Sequence, residues 1–354
     1  MFFDFHSEDV SIRQFPNSRY EYVGERKTLN WNPFLSFPIL KACNFKCMYC
    51  GFGGEATASS NRAISLQTIE TITQKALSHG ITKFRVTGGE PFLHPEIIDI
   101  LQYFSKLGYY TLVNTNGSLV SNYAKELSNL NKNIRFAVSL DTLKSEKLIA
   151  ISGRNSLESV LSGINTLNQY GLLLRCNMVV GKHNIDEVFS IINFCQEKSC
   201  DLKLLDIVSV PLPYGKRSDF YQEIISLEEK LRVECDEILS HEYSRKFGTP
   251  CYRYRFGNVC VTVKNSRMGS HYDLCDGGIC EKCQYFPCHE GLYDIFALSD
   301  GRLCACRWTE KQAFSDVEKQ MEFLLEAFKR SEYYLKEQQV DMAKRLDLKV
   351  DEVK

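Results

Sequence analysis

Three cysteines, Cys43, Cys47 and Cys50, stand together in the stretch KACNFKCMYCGFGG. Thiolates are the ligands that iron–sulfur clusters need. Three of them close together leave one metal position without a protein ligand, which is the open coordination of a reactive site and not the closed shell of a structural one. The small residues Gly51, Gly53 and Gly54 let the backbone wrap closely around a bulky group. A zinc loop is the competing reading, but zinc normally takes a fourth ligand and no histidine is adjacent.

A second group of six cysteines lies within Cys275–Cys306: Cys275, Cys280, Cys283, Cys288, Cys304 and Cys306. Ser299-Asp300-Gly301 reads as a hairpin turn, so a late cysteine can meet the earlier ones. The other six, Cys176, Cys195, Cys200, Cys235, Cys251 and Cys260, are scattered and read as small buried hydrophobes. Met1–Val10 carries acidic residues and no apolar segment, so no secretory signal is expected. Fifteen is an odd number, and a reduced, cytoplasmic compartment argues against a disulfide framework. Clustered thiols there are metal or cluster ligands.

The 354 residues suit one large domain with an appended smaller one. Apolar residues make up 44% and charged residues 25%, a globular composition. The net charge of −1 gives no bulk attraction to nucleic acid or to an anionic membrane. No run of 18 apolar residues is present, so no membrane span is expected.

The elements that must position these cysteines alternate. Strand-like runs are expected at Ser36–Ala42, Thr82–Thr87, Tyr110–Thr115, Ile134–Leu140, Leu173–Val180 and Lys203–Val208, with helix-period runs between them. Leu66–His79 has Ser65 as its N-cap and Gly80 beyond its end. Pro95–Leu107 starts with proline and is followed by Gly108. Ser156–Tyr170 and Asn184–Lys198 complete the set. This order predicts an α/β fold with a parallel sheet, an open sheet or a barrel alike, with reactive groups at the carboxyl ends of the strands. Residues 1–35 read as an irregular lead-in, residues 36–215 as the αβ-alternating domain, and residues 216–354 as a cysteine-rich domain. Within the last, Tyr221–His241 and Asp316–Gln339 read as helices.

Polar motifs fall at successive strand ends. Thr87-Gly88-Gly89-Glu90-Pro91 follows the second strand; its glycines expose backbone polar groups, and Glu90 is expected to hold an ammonium. Asn114-Thr115-Asn116-Gly117 ends the third strand and Ser139-Leu140-Asp141 the fourth, suiting ribose and carboxylate contacts or ordinary loop capping.

CNFKCMYC resembles the cluster motif of radical S-adenosylmethionine enzymes. The resemblance implies a partial (βα)6 TIM-like barrel. It implies a catalytic [4Fe–4S] cluster on Cys43, Cys47 and Cys50, with S-adenosylmethionine chelating the fourth iron. It also implies reductive cleavage to a 5′-deoxyadenosyl radical that abstracts hydrogen from the substrate. The strand-end segments, with Ser152-Gly153-Arg154, Asn177-Met178-Val179-Val180 and Asn184, are similar to the molybdenum-cofactor GTP 3′,8-cyclases over Ser36–Val208. That likeness implies cofactor contacts at Tyr49, Gly88, Gly89, Glu90, Pro91, Thr115, Asn116, Ser139 and Asp141. It places Arg85 and Thr115 at GTP-contacting positions, with Arg175 where the cyclases have a lysine.

The cyclases also carry an auxiliary [4Fe–4S] cluster on a comparable cysteine layout. The likeness implies ligands Cys280, Cys283, Cys288 and Cys304, with Cys275 and Cys306 as substitutes, in a twitch- or SPASM-like domain. A structural zinc knuckle fits the same thiolates. The departures are specific. Ser36 stands where the cyclases have an arginine, the triphosphate-binding arginines are missing from Leu292–Leu298, and the C-terminal glycine pair is absent. A triphosphate needs several fixed cations. The expected substrate is therefore a ribosomally made peptide, with a nucleotide or other small molecule as the alternative. A flavodoxin- or ferredoxin-type electron donor is implied. A zinc-stabilised scaffold or redox sensor is the reading without catalysis.

Overall fold

The computed structural model describes residues 11–13, 21–23, 33–51, 63–207, 212, 214–242, 251–264, 294–298, 300–304, 318–319 and 321–322. Strands β1 (Ser11–Arg13) and β2 (Glu21–Val23) form a small antiparallel pair, with Ser11 opposite Val23. The stretch read as irregular thus contains a short ladder.

The main body alternates as its hydrophobic period predicts. Its elements are β3 (Phe34–Pro38), α1 (Leu66–Ser78), β4 (Lys83–Thr87), α2 (Ile97–Leu107), β5 (Thr111–Thr115), α3 (Ala124–Leu127), β6 (Ile134–Ser139), α4 (Ser145–Ser152), α5 (Leu157–Gln169), β7 (Leu173–Val179), α6 (Val188–Lys198) and β8 (Asp201–Leu205). Strands β3 to β8 pair in sequence order, all parallel. Ser65 caps α1, its Oγ accepting from Thr68 N at 3.2 Å. Gly108 ends α2 in the left-handed region at φ 77°, which glycine enters at no steric cost. Helix α2 begins two residues after Pro95.

The described strands of the later region extend this sheet at both edges. Helices α7 (Arg217–Phe220) and α8 (Ile225–Glu234) lead to β9 (Glu237–Glu242), β10 (Cys251–Phe256) and β11 (Val259–Lys264), an antiparallel meander. Strand β11 lies parallel to β8, with Val261 opposite Leu202. On the far edge β12 (Asp294–Ala297) lies parallel to β3 and pairs antiparallel with β13 (Leu303–Cys304). The result is one sheet of 11 strands. Of the turn expected at Ser299–Gly301, Ser299 lies outside the described residues; Asp300 and Gly301 lie between β12 and β13, and Leu298 N donates to Arg302 O at 2.7 Å.

One expectation needs correction. The run Tyr221–His241 is not one helix: α8 stops at Glu234, Cys235 is extended, and the rest is strand β9. Pairing with β10 overrides the charged, helix-like composition. Of the predicted C-terminal helix, the described positions 318, 319, 321 and 322 are helical and the remainder lies outside the described residues; Met321 is fully buried.

Alternation along the strands gives the sheet two faces. Leu35, Phe37, Phe84, Val86, Val113, Phe136, Val138, Met178, Leu202 and Leu204 join the helices in the main core. Phe34, Leu112, Ala137 and Leu174 form a smaller cluster on the opposite face. Among the described residues, no helix is long and apolar enough to cross a membrane.

Candidate active site at the carboxyl ends of the central strands

The loop carrying Cys43, Cys47 and Cys50 leaves β3 and is fastened on two sides. On one side Gly89 N donates to Leu40 O at 2.6 Å and Glu90 N to Ala42 O at 2.9 Å. On the other, Lys46 N donates to Ser152 O and Met48 N to Ile151 O, each at 2.9 Å, so the end of α4 holds the loop's middle. Arg154 Nε donates to Asn44 O at 2.9 Å.

Gly88 and Gly89 are required by this crossing. Gly88 has φ 142°, and a Cβ there would meet Leu40 O at 2.4 Å; a Cβ on Gly89 would meet Ala42 O at 2.1 Å. The glycine pair therefore forms a cradle into which the cluster loop's backbone settles, which is why no side chain fits there.

Glu90 is fully buried. Its Oε1 accepts from Thr115 Oγ1 at 2.6 Å and from Phe92 N at 3.1 Å, and its Oε2 accepts from Asn116 N at 2.7 Å. Burial raises its pKa, opposed by these three donors. The carboxylate expected to face an ammonium has no exposed surface. It ties the loop after β4 to the loop after β5 instead. Thr115 is committed to the same knot and also accepts from Gly117 N at 3.0 Å. Pro91 is buried beside Glu90. Asn116 bridges outward: its Nδ2 donates to Asn44 Oδ1 at 2.8 Å, and lies 3.9 Å from Cys43 Sγ.

Tyr49, between the last two cysteines, donates through its hydroxyl to Asp141 Oδ2. Asp141 Oδ1 accepts from Val179 N at 2.9 Å, and Asn184 Nδ2 donates to Asp141 O at 2.9 Å. Burial pushes the Asp141 carboxyl up to about 6 against the pull of Tyr49 and Val179. Ser139, at the end of β6, is exposed.

The three thiols fit a cluster better than one ion. They are only part-buried. Zinc–sulfur bonds of about 2.3 Å keep a single ion's ligands within roughly 4.6 Å of one another. The one cysteine trio among the described residues with thiols within 4.8 Å is a different one, Cys176, Cys195 and Cys200. Burial pushes the Cys43 thiol up to about 11 and raises Cys47 as well. A bound cationic centre reverses that preference, because a coordinating thiol is deprotonated.

Arg85 is engaged by the far edge of the sheet. Its guanidinium pairs with Asp294 Oδ2 of β12, donates to Ser36 Oγ at 3.4 Å, and lies 4.4 Å from the Phe34 ring centroid. Asp294 is buried, which raises its pKa against the attraction of Arg85 and Lys264. Arg175, also buried, donates from Nε to Asn177 Oδ1 at 2.8 Å. Sequence reading did not single out Asp294; the only signal was one carboxylate inside the apolar run Leu292–Leu298. Cys304 is buried on β13. Cys275, Cys280, Cys283, Cys288 and Cys306 lie outside the described residues.

Comparison with known proteins agrees with this arrangement. Residues 37–195 match the family model described as the radical SAM superfamily. The chain is 30% identical over 233 residues to the probable GTP 3′,8-cyclase of Sulfurisphaera tokodaii, covering 65% of this chain and 71% of that protein. It is 31% identical to the GTP 3′,8-cyclase of Clostridium acetobutylicum, covering 67% and 79%. It spans 63% of the Campylobacter jejuni GTP 3′,8-cyclase. Among solved structures, Streptococcus suis SuiB bound to S-adenosylmethionine superposes with a TM-score of 0.59 at 18% identity, over 79% of this chain and 61% of SuiB. The enzyme anSMEcpe with bound AdoMet and Kp18Cys peptide gives 0.57 at 18% identity, over 86% and 83%. At that identity these two share the fold, a partial TIM-like barrel with a mostly parallel sheet. With this sequence kinship and a cysteine loop seated on the glycine cradle, the chain belongs to the radical SAM superfamily and is an enzyme that uses a [4Fe–4S] cluster and S-adenosylmethionine.

Proposed function

We propose that this enzyme modifies a ribosomally synthesised peptide in natural-product biosynthesis and does not cyclise GTP. The observation that carries the reading is the Arg85–Asp294 pair. Where the cyclase likeness implies a cation for GTP, the arginine faces a buried carboxylate from β12, and Ser36 adds a hydroxyl in place of an arginine. Asp294 already pairs the Arg85 cation, and a triphosphate gains little from an arginine so engaged. Structures of SuiB with its precursor peptide SuiA and of anSMEcpe with a peptide share the fold and are consistent with a peptide substrate.

In this reading Cys43, Cys47 and Cys50 hold the catalytic cluster, and residues 36–215 carry the radical chemistry. The bound cluster and S-adenosylmethionine supply a primary radical that removes a hydrogen atom. Tyr49, Gly88, Gly89, Pro91, Asn116 and Ser139 border the cofactor, while Glu90, Thr115 and Asp141 fix those borders. Residues 216–354 carry a second [4Fe–4S] cluster on Cys280, Cys283, Cys288 and Cys304. A flavodoxin- or ferredoxin-type protein delivers the electron. A nucleotide substrate is the second reading, favoured by the 30–31% identity to GTP 3′,8-cyclases.

The test is an anaerobic assay of the reconstituted enzyme with peptides encoded beside its gene, and separately with GTP. Release of 5′-deoxyadenosine coupled to a mass change in a peptide is expected, with GTP left intact. Conversion of GTP with no peptide change overturns the reading. Metal analysis accompanies it: about eight iron and eight sulfide per chain are expected for two clusters, against about four with zinc if the later cysteines are structural.

A further inference from the structure

Cys176 on β7, Cys195 in the last turn of α6 and Cys200 just before β8 bring their Sγ atoms within 4.8 Å of one another. Those of Cys176 and Cys200 are 3.9 Å apart. All three residues are at most 1% exposed, inside the main core with Met178, Ile191 and Leu202. Three separate elements supply them. Ser199 closes α6 in the left-handed region at φ 50°, and Cys200 N turns back to donate to Cys195 O at 3.0 Å. Among the described residues, no other trio of His, Cys, Asp or Glu side chains converges so tightly. The trio sits near the amino-terminal end of β8, whereas the cluster loop follows the carboxyl end of β3, so the radical chemistry has no use for it.

Three converging soft donors select a thiophilic centre. Metals take thiolates, not thiols. A charge left over in an apolar core is costly. Three thiolates are neutralised only by a trivalent centre. A divalent ion leaves a negative charge, and zinc would also want a fourth ligand. We propose that Cys176, Cys195 and Cys200 form a binding site for a trivalent thiophilic centre, with arsenite as its simplest occupant.

The exchange balances without an external base or oxidant. Three S–H bonds and three As–OH bonds break; three As–S bonds form and three waters leave; no electron is transferred. The three thiols supply the protons that leave with the three hydroxides as water. Neutral As(OH)3 enters, and a neutral tris-thiolate remains.

The test titrates arsenite into the holoenzyme with its clusters in place, counts bound arsenic per chain after gel filtration, and reads sulfur neighbours by arsenic-edge X-ray absorption. The variants are Cys176→Ala and Cys200→Ser, each checked for a cooperative melt, with Cys235→Ala as a control outside the trio. Wild type and Cys235→Ala are expected to bind one arsenic more than either trio variant, with three sulfur neighbours, and arsenite is expected to raise their melting temperature. Equal arsenic in wild type and a folded trio variant overturns the proposal. So does a centre with only two sulfur neighbours, or zinc that stays bound against arsenite.

Discussion

The molecule holds two trios of cysteines that differ in every physical respect. Cys43, Cys47 and Cys50 come from one loop, are part-buried, and hang from a backbone cradle that forbids side chains at Gly88 and Gly89. Cys176, Cys195 and Cys200 come from two strand regions and a helix, are fully buried, and are gathered by packing. The first is spaced too widely for a single ion and is part-exposed in the loop that follows β3. The second is tight and closed to solvent. Number of thiols therefore says little about a cysteine site; spacing, exposure and the origin of the ligands decide whether it can react.

The largest effect that separates the trios is on catalysis. Cys43→Ala, Cys47→Ala and Cys50→Ala are each expected to abolish reductive cleavage of S-adenosylmethionine and to remove about four iron per chain. Cys176→Ala is expected to leave both intact. Production of 5′-deoxyadenosine is the readout, beside iron content. Cleavage that survives in all three loop variants, or that vanishes in a folded Cys176→Ala, erases the distinction.

The first trio was legible in the sequence because its ligands sit in one loop, where spacing along the chain is spacing in space. The same holds for the six parallel strands, whose apolar runs alternate with capped helices, and for Asp300 and Gly301 between β12 and β13. The second trio was not legible. Cys176 and Cys200 are brought together only by the pairing of β7 with β8, and Cys195 by the seating of α6 on both. The Arg85–Asp294 pair spans 209 residues and depends on β12 lying beside β3. No local pattern reports that the later strands extend both edges of the sheet. Glu90 shows the converse: the motif was visible, yet its carboxylate turns inward, because three donors from Phe92, Thr115 and Asn116 outbid solvent for it.

Glu90 ranks next. Glu90→Ala leaves the donors of Phe92, Thr115 and Asn116, two buried and one part-buried, without this acceptor, at about 1–3 kcal/mol for each buried group and less than additively. The cluster loop should loosen with it, since Asn116 links that knot to Asn44. Denaturant unfolding is expected to show the loss in the protein without cofactor, and Glu90→Gln, which retains an acceptor oxygen, a smaller one. If stability holds and only S-adenosylmethionine affinity falls, Glu90 touches the cofactor directly and the inward-facing geometry is not the working one.

The smallest effect belongs to the buried trio itself. Cys176→Ala removes one sulfur from a packed core and leaves a void smaller than a methylene pair, so the expected cost is about 1–2 kcal/mol. The raised thiol pKa of Cys195 has two sources, its hydrogen bonds to Cys176 and Cys200 and its burial. Removing Cys176 subtracts only part of the first. Reactivity of Cys195 toward a bulky aromatic disulfide reagent, unlike the small neutral As(OH)3, should stay low under native conditions and should track global unfolding, because access and not acidity limits it. Thiol labelling across a denaturant series measures this. Rapid labelling of Cys195 in the folded variant would mean that α6 opens locally, and that the tightness separating this trio from the cluster loop is a property of the sulfur contacts and not of the surrounding core.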